Sequence, residues 1–139
     1  MRLQSKNASE TIQLGKRLGQ KLKPGDVVCL YGELGAGKTT ITKGIASSLG
    51  IKEHDITSAS YTIIAEYDGD IPFYHIDLYR IINGEARELG LHEYFHSHGI
   101  SVIEWAEKAD DEIPDKCIKI RMNHAGDDVR EIELEGLEL

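Results

Sequence analysis

Apolar residues recur at Ile12, Leu14, Leu18 and Leu22 with helical spacing, and the run stops at the Pro24-Gly25 turn. Asn7-Ala8-Ser9-Glu10 ahead of it fits a capping box, so a helix is predicted to begin there. Asp26-Val27-Val28-Cys29-Leu30-Tyr31 is a nearly unbroken apolar run of strand length, as expected for a strand buried on both faces. Thr40-Ile41-Thr42-Lys43-Gly44-Ile45-Ala46 reads as a second helix that closes near Gly50. A connector rich in Ser and Thr, Ile56 to Ser60, leads to a strand predicted from Tyr61 to Tyr67 and a turn at Asp68-Gly69-Asp70. Phe73-Tyr74-His75-Ile76-Asp77 and Ile100-Ser101-Val102-Ile103-Glu104 are two further short strands, each ending in a carboxylate. Between them lie one or two short helices, around Glu85 to Leu89 and Leu91 to Phe95. Alternation in Cys117 to Met122 and Val129 to Leu134 predicts an antiparallel pair at a sheet edge.

Strands and helices therefore interleave, which predicts an α/β fold: a mainly parallel central sheet flanked by helices on both faces, with antiparallel edge strands. At 139 residues the chain is expected to form one domain, residues 1–139, with no room for a separate substrate domain. No apolar run approaches the roughly 20 residues of a membrane helix and nothing reads as a signal peptide, so a cytoplasmic protein is expected. Cys29 and Cys117 form no C-x-x-C and lie in apolar runs, so both are expected to be reduced core thiols. A formal net charge of −8 argues against unaided binding to a nucleic-acid backbone, which needs a basic face.

The chemistry is concentrated between the first strand and the second helix. Gly32-Glu33-Leu34-Gly35-Ala36-Gly37-Lys38-Thr39 is a full G-x-x-x-x-G-K-[ST] match in the strand–loop–helix setting that a phosphate-binding loop requires. Its glycines let the backbone turn so that N–H groups face a triphosphate, and the helix start adds its dipole. Lys38 would reach the β and γ phosphates, and Thr39 would put a hydroxyl on Mg²⁺. Such a loop needs a carboxylate from another strand end, and Asp77 and Glu104 both qualify. Spacing leaves open which of them touches the metal. Ser58 and Ser60, in the connector after the loop helix, stand where related nucleotide enzymes sense the γ phosphate.

No Asn-Lys-x-Asp is present, so ATP is a better expectation than GTP. Arg80, Arg121 and Arg130 are candidates for a charge-stabilising or base-stacking arginine. His92-Glu93-Tyr94-Phe95-His96 is a literal H-E-x-x-H, but Gly90 and Gly99 bracket it closely and no third ligand stands at an expected distance downstream. Zinc is therefore not expected.

The loop Gly32 to Thr40, Ser58-Ala59-Ser60-Tyr61-Thr62, His75-Ile76-Asp77-Leu78-Tyr79-Arg80 and Ile103-Glu104-Trp105, taken in order, resemble the TsaE (YjeE) family of bacterial tRNA threonylcarbamoyladenosine biosynthesis ATPases. The likeness covers nearly the whole chain, including Thr11-Ile12-Gln13-Leu14-Gly15 and Glu93-Tyr94-Phe95. It departs at Ala59, where the family usually has proline. The resemblance implies Mg²⁺ held by Thr39 and Glu104, with Asp77 near the γ phosphate in a hydrolytic role. It implies ATP contacts from Gly32, Glu33, Leu34, Gly35, Ala36, Gly37, Lys38, Thr39 and Thr40, from the helix start at Ala8 to Thr11, and from Arg130, with Trp105 beside the nucleotide. TsaB and TsaD are the implied partners, with tRNA engaged only through the complex. A small-molecule kinase and a non-hydrolytic nucleotide-sensing scaffold are the rival readings.

Overall fold

The computed structural model describes residues 1–57, 62–82 and 84–139. In chain order the elements are β1 (Arg2–Ser5), α1 (Ala8–Lys21), β2 (Val27–Tyr31), α2 (Lys38–Ser48), β3 (Ile64–Asp68), β4 (Pro72–Asp77), α3 (Leu91–Phe95), β5 (Ile100–Glu104), β6 (Ile118–His124) and β7 (Arg130–Glu135). Short 3-10 turns occupy Glu53–Asp55, Glu85–Leu89 and Ala106–Ala109.

Among the described residues, seven strands form one sheet in the order β1-β7-β6-β2-β5-β4-β3. The central four, β6, β2, β5 and β4, run parallel, while β3 pairs antiparallel with β4, and β7 with both β6 and β1. The predicted antiparallel pair β6–β7 is present, but it does not stand at the edge. β6 lies against β2, and β1, which the sequence pattern did not reveal, covers β7 by pairing Leu3 with Ile132. The strand predicted from Tyr61 begins at Ile64; Tyr61 itself lies outside the described residues.

β2 is buried along Val27–Leu30 because both its faces are covered. On one face, Val28, Leu30, Phe73, Val102 and Ile120 meet Leu14 and Leu18 of α1 and Ile41 and Ile45 of α2. On the other, Val27, Cys29, Ile76 and Ile103 meet Leu78, Leu91, Phe95 and Ala106 from the shorter segments. Helices thus lie on both faces, long on one and short on the other. The two long helices approach until backbone meets backbone: a Cβ on Gly44 would sit 2.1 Å from the Ile12 carbonyl oxygen, and one on Gly15 2.4 Å from that of Ile41. That contact fixes α2, whose first residues belong to the phosphate loop, against the rest of the fold. The cap of α1 forms nearly as predicted. Asn7 Oδ1 accepts from Glu10 N at 2.9 Å, while Glu10 Oε1 reaches back to the Lys6 amide, one residue before the cap.

Candidate functional site

The parallel strands β2, β4 and β5 end on the same edge, and the phosphate loop leaves β2 there, where open α/β sheets place their ligands. Gly37, the N-cap of α2, has φ 100°, and a Cβ on Gly32 would lie 2.5 Å from the Met122 carbonyl oxygen. Both positions therefore exclude a side chain, one by backbone conformation and one by space. Arg130, from the first position of β7, closes over the outer side of the loop. Its Nε donates to Ala36 O at 3.1 Å and its Nη2 to Gly35 O at 3.2 Å.

A cleft of about 300 Å³ opens at this edge, lined by Leu34, Gly35, Gly37, Lys38, Thr39, Thr40, Asp77, Tyr79, Glu104, Trp105 and Arg130. The Lys38 ammonium donates to the carbonyls of Gly32 and Glu33 and lies 3.9 Å from the Trp105 ring centroid. Burial pushes its pKa below the usual lysine value, against the opposing pull of Glu104, Glu107 and Asp77. Trp105 adopts a left-handed φ of 58°, uncommon for a bulky residue, which turns the chain immediately after Glu104. Tyr79 packs on its ring at 5.2 Å.

Asp77 and Glu104 are register partners at the ends of β4 and β5, and each is only 3% exposed. Asp77 Oδ1 accepts from the Tyr79 amide at 3.0 Å. Thr39 Oγ1 lies 3.2 and 3.1 Å from the two Glu104 carboxylate oxygens. With its proton on Glu104, the Thr39 oxygen keeps its lone pairs for a hard cation. Among the described residues no group of three or more His, Cys, Asp or Glu side chains is arranged to hold a metal. Mg²⁺ needs no such cage where phosphates and waters complete its octahedron, so a hydroxyl and one carboxylate beside a phosphate loop fit it.

Not every residue singled out in the sequence reaches the cleft. Thr11 is buried with its hydroxyl 2.6 Å from that of Ser5 and 3.2 Å from the Asn7 carbonyl oxygen, and neither Thr11 nor Ala8 lines the pocket. Gly32, Glu33 and Ala36 contribute backbone geometry to the loop. Ser58 and Ser60 lie outside the described residues. Of the three candidate arginines only Arg130 lines the cleft among the described residues; Arg121 stacks at 4.8 Å on Tyr31, the residue before the loop, and Arg80 is exposed after β4. In the H-E-x-x-H segment the helix ends at Phe95, His96 is its C-cap, and His92 pairs with Glu112 at 3.1 Å.

His75 is a site residue that the sequence pattern did not single out. It is wholly buried in β4, two residues before Asp77 and on the same face, with Nε2 2.5 Å from Glu104 Oε2. Its position in an apolar strand gave one available signal: a histidine at i−2 from a candidate carboxylate shares that carboxylate's face.

A family model described as threonylcarbamoyl adenosine biosynthesis protein TsaE matches residues 5–132. The tRNA threonylcarbamoyladenosine biosynthesis protein TsaE of Bacillus subtilis is 47% identical over 127 residues, which span 91% of this chain and 79% of that protein. Its counterpart of the same name in Treponema pallidum is 40% identical over 133 residues, spanning 95% and 98%. The crystal structure of Bacillus subtilis YdiB superposes with a TM-score of 0.80 at 44% identity, covering 95% of this chain and 82% of that one.

Proposed function

This chain belongs to the TsaE family of tRNA threonylcarbamoyladenosine biosynthesis proteins, and from that premise we propose that it is a Mg²⁺-dependent component that binds and hydrolyses ATP, acting in the cytoplasm with TsaB and TsaD. The observation that carries this reading is the Thr39 hydroxyl held at 3.1 Å from the Glu104 carboxylate at the mouth of a phosphate loop. Thr39 and Glu104 would hold Mg²⁺, which when bound neutralises the β and γ phosphates and makes the terminal one a better electrophile.

The chain's own groups supply the rest. Backbone amides of the loop and the α2 N-terminus cradle the phosphates. Lys38 exchanges its two carbonyl partners for phosphate oxygens, which places its positive charge where negative charge builds up in the transition state. Asp77, which stands beside Glu104 in register, would orient the attacking water and receive its proton. Arg130 fixes the loop carbonyls, so the cradle keeps its shape.

Phosphate release from Mg-ATP by the purified protein, alone and with TsaB and TsaD, tests the reading, with Lys38→Ala as the blank. Slow release that rises with the pair is expected. Tight ATP binding without release under either condition would instead support a nucleotide-sensing scaffold, and phosphate transfer to a metabolite faster than to water a kinase.

A further inference from the structure

We infer that His75 is a positioning residue that sets the orientation of Glu104 for the metal, an inference that rests on the Mg-ATP reading above. The ring is 0% exposed, lies on the core side of the Asp77–Glu104 pair and does not line the cleft. Its register partner is Val102, two residues before Glu104 on the same face. Nε2 lies 2.5 Å from Glu104 Oε2, while Nδ1 is buried and without a hydrogen-bond partner among the described residues.

This asymmetry sets the tautomer. A carboxylate can only accept, so Nε2 carries the proton and donates it to Oε2. The orphaned Nδ1 is then a bare lone pair, which costs less to bury than an unpartnered N–H. Glu104 is held by two donors, His75 from the core side and Thr39 from helix α2. Neither donor alone fixes a side chain with three rotatable bonds; together they leave its remaining lone pairs aimed into the cleft. Partners of this kind behind a metal ligand typically contribute 10- to 100-fold in metal affinity.

A histidine serving only to fill the core would affect folding and every mode of nucleotide binding alike. A positioning histidine affects only the mode that includes the metal. The test is calorimetric titration of wild type, His75→Leu and His75→Gln with a non-hydrolysable ATP analogue, each with Mg²⁺ and with excess chelator, alongside thermal melts. His75→Leu is expected to bind the analogue as wild type does without metal and to lose about tenfold or more of the tightening that Mg²⁺ confers, while His75→Gln, which keeps an N–H donor, recovers part of it. Equal Mg²⁺ enhancement in His75→Leu and wild type, or equal losses with and without metal, overturns the inference. A wild type that binds no analogue under either condition overturns the Mg-ATP reading itself.

A second measurement needs no variant. Long-range ¹H–¹⁵N correlation of the His75 ring should show a protonated Nε2 and a bare Nδ1; an unprotonated Nε2 overturns the inference even if His75→Leu fails to fold.

Discussion

Thr39 and Glu104 stand 65 residues apart in the chain, yet the threonine hydroxyl lies 3.1 and 3.2 Å from the two oxygens of the glutamate. One residue lies in the first turn of helix α2 and the other closes strand β5, so the contact ties the phosphate loop to the neighbouring parallel strand. Thr39→Ala removes a hydroxyl and leaves Glu104 paired with His75, so the fold should survive. We expect at least tenfold weaker Mg²⁺ dependence of ATP binding, on the order of one charge-assisted hydrogen bond, with little change in metal-free binding. Glu104→Gln should behave likewise. Loss of the cooperative thermal transition in Thr39→Ala would show that the contact holds the fold rather than the metal.

Arg130 offers a separate handle on the same loop. Its guanidinium spans two successive carbonyls, of Gly35 and Ala36, and also donates to the carbonyls of Asp127 and Val129. Arg130→Ala should weaken ATP binding about tenfold through a loosened loop, on the scale of one to two hydrogen bonds from a charged donor. Arg130→Lys should not restore it, because an ammonium lacks the planar fork. Full recovery by lysine in an equilibrium binding measurement would mean that charge alone matters there.

Much of this architecture was legible because it is local. The Asn7 cap, the helical spacing of α1, the buried run of β2 and the two strands ending in Asp77 and Glu104 are each written in fewer than fifteen consecutive residues. What escaped is decided by distant pairing. β1 is four residues long and its burial depends on β7, at the far end of the chain. The insertion of β6 between β7 and β2 is a matter of strand order, on which alternation along β6 is silent. Cys29 and Cys117 look unrelated in sequence, but Cys29 pairs with Lys119, which brings Cys117 onto the same face of the adjoining strand. His75 was hidden for the same reason: it sits in an apolar run, and its polar partner among the described residues, Glu104, arrives from β5.

The contact between α1 and α2 gives a prediction about stability. Alanine ordinarily favours a helix over glycine by up to about 1 kcal/mol. At Gly44, however, the added methyl would meet the Ile12 carbonyl oxygen at 2.1 Å and the Gly15 Cα at 2.9 Å, both backbone atoms that cannot rotate away. Overpacking of this sort costs about 1–3 kcal/mol, so Gly44→Ala should lower Tm by several degrees. A Tm equal to or above wild type would show that the helices can part without loss.

Alkaline titration bears on the second face of the sheet. Burial and the neighbouring Cys117 push the Cys29 thiol far above its ordinary value of 9.0. A group raised on folding contributes stability that is complete below the unfolded pKa and is lost as pH rises through the folded one. Stability should therefore decline above about pH 9, by at most about 1.4 kcal/mol per pH unit for this one proton. Cys29→Ala should lie lower at neutral pH, having lost core volume, but its Tm should fall less steeply toward alkaline pH. Tyr31, also raised by burial, leaves a residual slope at higher pH. Parallel curves for the two proteins would remove Cys29 as the cause.

The chain has a single tryptophan, and Lys38 lies 3.9 Å from its ring centroid. The same ammonium donates to the carbonyls of Gly32 and Glu33, and it can serve a triphosphate only by giving up at least part of that set. Moving a cation off an indole face changes the field at the ring, so Trp105 emission should shift when Mg-ATP binds. Lys38→Met keeps the length and apolar contact of the stem without the charge; its resting emission should already differ from wild type and respond less to nucleotide. If wild type and Lys38→Met give the same emission before and after nucleotide, Lys38 does not exchange partners on binding, and its catalytic placement fails with it.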